Sequence, residues 1–343
     1  MSERLSSAHD RPIAVLVDRE GLGDVLLKLP LLRAIARGFP GQPIWWIANH
    51  TTDIAGPLRR FMPPQLAAVQ EERARLAEPS SETAARLRRL PAFSLVFDTR
   101  TRLGTVWLAR RVLAAERFFC CLPGYLLSSA RPAGRLARPR HIGLRALSLA
   151  QAALGPDADG AGELAATPAA TAAAAMLLPA GRRYVGLGVG SREVRKNWPL
   201  ARFAELSRAL VGQNLAPVLF LGPQEREFAE EIRAMIPAAT AIDFTAPAGG
   251  REPLDLAVAV ARRLNVVVAN DSGLGHLVGA AGTAVVSLFG PTDPRRWAPF
   301  APLQRTIRAQ SFGGDKMSLI PSEAVALAIT ELVDQRPPRF QTN

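Results

Sequence analysis

Three short segments carry side chains whose chemistry exceeds what a fold alone needs. The first, Arg19-Glu20-Gly21-Leu22-Gly23-Asp24, joins two glycines to a carboxylate. Glycine lets a backbone turn tightly and lets a ligand come close, and Asp24 stands where it could take a proton from a bound hydroxyl. Asp is also favoured at a helix start, and spacing alone favours that capping role. Leu26 occupies the third glycine position of G-x-G-x-x-G, so the segment is no dinucleotide fingerprint.

The second segment is Gly188-Val189-Gly190-Ser191-Arg192-Glu193-Val194-Arg195-Lys196-Asn197-Trp198-Pro199. Small residues at 188, 190 and 191 expose backbone N–H groups, Ser191 adds a hydroxyl, and three cations follow, a combination that suits a diphosphate. An exposed basic loop with Trp198 packed on the core and Pro199 opening a helix explains the same residues. A Walker loop is excluded because the Gly-Lys-Ser/Thr ending is missing. The third segment is Asn270-Asp271-Ser272-Gly273-Leu274-Gly275-His276. Its N–H groups could face a phosphate or a sugar hydroxyl, with Asp271 accepting from hydroxyls; simple capping is the other reading. His276 falls inside the helix, where histidine is more often packed than catalytic. Gly290-Pro291-Thr292-Asp293-Pro294 is a turn placed to close the same rim.

The elements that must position these segments alternate. Residues 13–17 read as a buried parallel strand, and Val25, Leu26, Leu29, Leu32 and Ile35 then recur at helical spacing from Asp24 to the stop at Gly38 and Pro40. Further strands fall at 44–47 and 93–97, separated by helical stretches rich in Arg, Ala and Leu. A second series follows, with strands at 184–189, 216–221, 266–269 and 284–289 and helices at 199–211, 224–235, 254–263, 273–281 and 321–334. Residues 155–180, rich in Ala, Pro, Asp and Gly, read as a linker with a weak helix. The expected division is residues 1–160, a linker at 161–180, residues 181–320, and a last helix in 321–343 packing back on the first domain. Two doubly wound α/β halves place their ligands beyond the carboxyl ends of strands, where all three segments lie.

Composition narrows the function classes. Among 343 residues no apolar stretch approaches the roughly 20 a spanning helix needs, and residues 1–11 lack the apolar core of a secretory signal, so a cytoplasmic protein is expected. Adjacent Cys120 and Cys121 suit neither a structural disulfide nor a zinc site. Asp157-Ala158-Asp159 lies in the linker and reads as solvated rather than metal-binding. Net charge is +12, and residues 1–150 hold 23 Lys+Arg against 12 Asp+Glu, whereas residues 151–343 hold 19 against 18. The basic half suits an anionic partner such as a membrane surface or acidic glycolipid; a solvated arginine-rich surface explains it equally. Arg86, Arg88 and Arg89 have no interleaved aromatics, so no nucleic-acid partner is expected. Only Lys28, Lys196 and Lys316 depart from arginine among 42 cations, which singles out Lys196 in its arginine-rich loop.

Taken in order, these segments resemble the ADP-heptose lipopolysaccharide heptosyltransferases and their relatives, glycosyltransferase family 9. The resemblance covers most of the chain. It rests on Gly23-Asp24-Val25 through Leu29-Pro30, Leu32-Arg33-Ala34 and Phe39-Pro40, then Lys196 with Trp198-Pro199, Asn270-Asp271-Ser272-Gly273 with His276-Leu277, and Leu288-Phe289-Gly290-Pro291-Thr292-Asp293-Pro294. It implies the GT-B fold: two Rossmann-like doubly wound domains facing across a cleft, the first for the acceptor and the second for a nucleotide sugar. By position, Asp24 matches the catalytic base, Lys196 the diphosphate lysine and Asp271 a donor-site carboxylate. Gly190, Ser191, Ser272 and Gly273 fall on the phosphate side, Asp243 near the nucleoside, and Arg19 and Gly23 on the acceptor side. The implied reaction is inverting, metal-independent and cofactor-free transfer from a nucleotide sugar such as ADP-heptose to a lipopolysaccharide core or related glycan, at the cytoplasmic face of the inner membrane. A nucleotide-sugar epimerase and a silent glycolipid-binding protein are the alternatives. Family members usually carry a cation at the position of Asp18 and small hydroxyl or polar residues near Glu20 and Gly21, so the first loop departs from the pattern.

Overall fold

Apolar runs too short for helices become the inner strands of two parallel sheets, and the amphipathic stretches between them become the covering helices. The computed structural model describes residues 11–72, 75–133, 138–223, 225–244 and 252–335, and the chain divides into two compact units, Met1–Gly162 and Glu163–Asn343.

The first unit runs β1 (Ile13–Val17), α1 (Leu22–Gly38), β2 (Ile44–Ala48), β3 (Leu66–Glu71), α2 (Ser81–Arg88), β4 (Phe93–Asp98), α3 (Leu103–Val112), β5 (Ala115–Cys120) and α4 (Ile142–Leu154). Its strand order is β3-β2-β1-β4-β5, with every pair parallel. The chain winds outward from β1 through β2 and β3, then resumes at β4 on the other side. The loops after β1 and β4 therefore diverge and leave a crevice at the carboxyl ends of those strands. Central β1 is buried along its whole length, as its unbroken Ile-Ala-Val-Leu-Val run requires.

The second unit runs α5 (Pro168–Leu177), β6 (Tyr184–Gly188), α6 (Leu200–Gly212), β7 (Ala216–Leu221), α7 (Ala229–Met235), β8 (Thr240–Asp243), α8 (Pro253–Arg263), β9 (Val266–Asn270), α9 (Gly273–Ala280), β10 (Ala284–Phe289), α10 (Pro294–Trp297), β11 (Gln304–Arg308) and α11 (Ser322–Asp334). Its order is β11-β10-β9-β6-β7-β8, again parallel throughout, and the winding reverses between β6 and β9. Gly188 on β6 lies beside Ala269 on β9, so the second and third segments leave the sheet side by side.

Several expectations shift. Helix α1 begins two residues before Asp24, with Gly21 as its cap, and it accommodates Pro30. Strands β3, β8 and β11 lie outermost in their sheets, where polar and apolar residues mix and no apolar run marks them. Helix α11 packs on α6 and on β9, β10 and β11 of its own unit, because Val325, Ile329, Leu332 and Val333 belong to that unit's core. The stretch read as a linker is anchored. Arg37 donates to the Asp159 carbonyl at 3.1 Å and to Asp159 Oδ2 at 3.2 Å, so Asp159, exposed as its solvated reading expects, also ties this stretch to α1. Beyond the unit boundary, Thr167 caps α5 and is itself held by Asp255, whose carboxylate accepts from Thr167 N at 3.0 Å and Thr167 Oγ1 at 2.5 Å. Among the described residues no helix is long and apolar enough to cross a membrane.

Candidate functional site

Each unit holds its chemistry at the point where its winding reverses. In the first unit Asp24 is the third residue of α1, and its Oδ2 accepts the Gly21 N–H at 3.2 Å, the one half of a capping box that a glycine cap allows. Capping and catalysis are therefore not exclusive readings: one carboxylate oxygen holds the helix start, and the group stays half-exposed. Arg19 is exposed and Gly23 half-exposed on the same loop.

Glu20, the residue that departs from the family pattern, faces the other way. Its carboxylate is buried and accepts from Lys28 Nζ at 2.5 Å, Trp46 Nε1 at 2.9 Å and Thr52 Oγ1 at 3.3 Å. A bridge between Glu20 and Thr52 adds a backbone tie. Three donors around one carboxylate favour its ionised form, while burial outweighs them and raises its pKa above the ordinary glutamate value. Burial works against the Lys28 ammonium, but Glu20 and Asp24 outweigh it and raise its pKa above the ordinary lysine value. Lys28 lies one turn along α1 from Asp24, so the pair forms a charged floor under the loop. The lysine count flagged Lys28, but its partner eight residues upstream shows only in the fold.

The crevice wall from β4 is equally fixed. Arg100 binds Asp98 through two contacts, Nε to Oδ1 at 2.8 Å and an Nη to Oδ2 at 2.7 Å, with both residues buried. Thr99 donates through both its N–H and its hydroxyl to the Leu16 carbonyl at 3.0 Å, tying β4 to β1. Cys121 is buried, and desolvation pushes its thiol up to about 12, which removes it as a nucleophile.

In the second unit Asn270 organises the site. Its buried side chain accepts the Trp198 N–H at 3.0 Å and donates to the Val189 carbonyl at 2.9 Å, holding both ends of the 190–197 loop against the end of β9. Trp198 is buried, donates Nε1 to the Ile320 carbonyl at 3.0 Å and meets Phe203 edge to face. The tryptophan thus anchors the core, as the structural reading of that loop expected, and Pro199 caps α6. Between these anchors Lys196 Nζ lies 3.1 Å from Asp271 Oδ2 and 3.0 Å from Glu193 Oε1. Burial opposes its charge, yet Asp271 and Glu193 prevail and raise its pKa above the usual lysine range. Thr292 Oγ1 donates to Asp271 Oδ2 at 2.7 Å, so the Gly290–Asp293 turn does close the rim around Asp271.

The remaining expected donor residues divide. Ser272 and Gly273 form the start of α9, and Ser272 Oγ is buried without a hydrogen-bond partner among the described residues. A buried hydroxyl left in that state beside helix N–H groups is suited to a ligand oxygen. Ser191 is already engaged, donating Oγ to the Glu193 carbonyl at 2.8 Å, so it shapes the loop. Gly190 is closely approached by Glu225: a Cβ there would stand 1.5 Å from Oε1, the tip of a side chain that would have to turn aside. Glu225 itself escaped the sequence reading because it follows β7 with no motif around it. Its other oxygen accepts the Gly222 N–H at 2.8 Å, and burial raises its pKa above the ordinary glutamate value. Asp243 ends the outermost strand β8, two strands from β6, 3.9 Å from Arg233; the structure does not gather it with Lys196 and Asp271. His276 is buried inside α9 as a packed residue.

The comparisons with known proteins agree with this geometry. The family model described as glycosyltransferase family 9 (heptosyltransferase) matches residues 126–317. Lipooligosaccharide heptosyltransferase 2 of Haemophilus influenzae is 33% identical over 113 residues, 33% of this chain and 32% of that protein. The chain thus matches about a third of the length of that relative. Lipopolysaccharide heptosyltransferase 1 of Pseudomonas aeruginosa is 28% identical over 305 residues, covering 82% of this chain and 79% of the relative. Among solved structures, a family 9 glycosyl transferase from Veillonella parvula superposes with a TM-score of 0.69 at 19% identity, covering 96% of this chain and 99% of the other. The ADP-heptose lipopolysaccharide heptosyltransferase II of E. coli gives 0.64 at 21% identity over 94% and 98% of the two chains. These likenesses identify the two-unit α/β architecture as the GT-B fold. The family model spans more than half of the residues, including the 190–197 loop and the Asn270 segment, and the chain belongs to glycosyltransferase family 9.

Proposed function

We propose that the protein is an inverting heptosyltransferase, transferring heptose from ADP-heptose to a lipopolysaccharide core or related glycan at the cytoplasmic face of the membrane. The observation that carries this reading is the reversal point of the second sheet: Lys196 held between Asp271 and Glu193, beside the partnerless Ser272 hydroxyl at the start of α9. A lysine and helix N–H groups together meet the charge that develops on a departing nucleoside diphosphate. Lys196 and these N–H groups take the place of a metal ion at the diphosphate. Asp271, already accepting from Lys196 and Thr292, directs the ammonium and offers its remaining oxygen to a hydroxyl.

In the first unit Asp24 takes the proton of the acceptor hydroxyl as that oxygen attacks the anomeric carbon. The bond to the diphosphate breaks on the opposite face, and configuration inverts. A carboxylate at a helix start is a weak base, which suffices when proton transfer comes late in an oxocarbenium-like displacement. Arg19 and Gly23 line the acceptor side of the same loop.

Purified protein, ADP-heptose and a heptose-deficient lipopolysaccharide core tests the reading. Release of ADP with extension of the acceptor by one heptose mass is expected, and donor alone should not turn over. Absence of acceptor extension, or conversion of donor alone into an epimer, overturns it.

A further inference from the structure

Helix α3 leaves the carboxyl end of β4 and shows solvent an unusual face. Thr105, Val106 and Ala109 pack inward, while Leu103 and Trp107 are 56% and 49% exposed. Residues 103, 107, 110 and 111 recur at helical spacing and share that outer face, so the two apolar side chains run directly into Arg110 and Arg111. The Arg111 guanidinium lies 5.8 Å from the centre of the Trp107 ring. Arg102, at the helix start, pairs with Glu78 at 3.0 Å across an exposed surface. No acidic residue occurs between Asp98 and Glu116. The face also belongs to the half of the chain that holds nearly all the excess positive charge.

Each component has a physical counterpart in an anionic bilayer surface. An indole prefers the boundary between headgroups and acyl chains, a leucine one turn away reaches the same depth, and flanking arginines meet lipid phosphates. A protein partner would favour a broader apolar patch with carboxylates interspersed, whereas this face is narrow and wholly cationic at its polar end. We propose that the outer face of α3, centred on Leu103, Trp107, Arg110 and Arg111, is the surface by which the protein docks on anionic lipid. Because α3 starts at the rim that also carries Arg19 and Asp24, docking there brings the acceptor loop to the lipid surface. That consequence rests on the lipid-linked acceptor proposed above; the docking itself does not.

Vesicles of phosphatidylethanolamine and phosphatidylglycerol, sedimented with the full-length protein at low salt, test the proposal. Wild-type protein should co-sediment and be released by salt. The double variants Arg110→Glu/Arg111→Glu and Leu103→Ser/Trp107→Ser should each bind at least roughly 30-fold more weakly, given the contribution of each basic residue near an anionic surface. A matched charge reversal in the second unit, Arg182→Glu/Arg183→Glu, should keep wild-type binding. All three should bind ADP with unchanged calorimetric affinity and keep the circular dichroism spectrum and melting temperature of wild type, which shows that both units are folded. Failure of wild type to co-sediment, undiminished binding of the α3 variants, or equal loss in the Arg182/Arg183 variant overturns the proposal. Transfer to a water-soluble core oligosaccharide reports separately on the transferase reading, since α3 variants should retain it whether or not vesicles are bound.

Discussion

Each sheet sets a lysine beside an aspartate where its winding reverses, and the two units treat that lysine in opposite ways. Lys28 is closed in beneath Asp24, locked to a buried Glu20 that also holds Trp46 and Thr52. Lys196 is only partly enclosed, shared between Asp271 and an exposed-side Glu193, with the Ser272 hydroxyl, unpartnered among the described residues, next to Asp271 in the chain. The difference teaches which charges build a site and which handle a ligand. A pair whose hydrogen-bonding capacity is filled by protein fixes geometry; one that keeps a face open to solvent can exchange a protein partner for a substrate oxygen.

Breaking the closed pair should have the largest effect. Lys28→Met leaves Glu20 buried without its cation and should lower unfolding stability by roughly 3–5 kcal/mol in denaturant titration, whereas adding Glu20→Gln to it should recover most of that loss. A single variant as stable as wild type would show that the pair is not framework. Opening the other pair should act on binding instead. Lys196→Ala should weaken ADP binding roughly 10- to 100-fold by calorimetry, the range of a charge-assisted contact, while thermal stability changes little. Equal affinity for ADP would remove Lys196 from the diphosphate.

The pH dependence sharpens the same contrast. Lys28 has a folded pKa above its unfolded value, so its contribution to stability is complete below about pH 10.4 and is lost as pH rises through the folded value. Wild type should therefore lose stability in alkali along a slope that Lys28→Met lacks. The smallest expected effect is at Ser272. Its hydroxyl makes no hydrogen bond among the described residues, so Ser272→Ala should leave the stability of the unliganded protein within about 0.5 kcal/mol and weaken ADP binding only about tenfold or less. A large loss of unliganded stability would instead make Ser272 a structural cap.

What the sequence reveals follows from how local each signal is. The inner strands β1, β6, β9 and β10 stand out as continuous apolar runs because both faces are covered. Strands β3 and β11 hold Gln-Glu and Gln-Arg-Thr at sheet margins, where one side needs no burial, and nothing in the local pattern marks them. Asp24, Lys196 and Asp271 could be named because glycine-bearing loops flank them. Glu225 reaches Gly190 from a different strand, and Asn270 ties together segments more than 70 residues apart, so their roles exist only in the fold. The acid at position 20 looked like a change in the acceptor loop; its partner Lys28 turns it inward and leaves Arg19, Gly23 and Asp24 as that loop's outward chemistry.

In the proposed mechanism Asp24 both caps α1 and accepts the acceptor proton. Asp24→Asn keeps an oxygen for the Gly21 N–H but cannot act as a base, so turnover of ADP-heptose with lipopolysaccharide-core acceptor is the measurement that isolates the second role. Turnover should fall by roughly 10² or more with ADP affinity and thermal stability nearly unchanged. Turnover equal to wild type would contradict it.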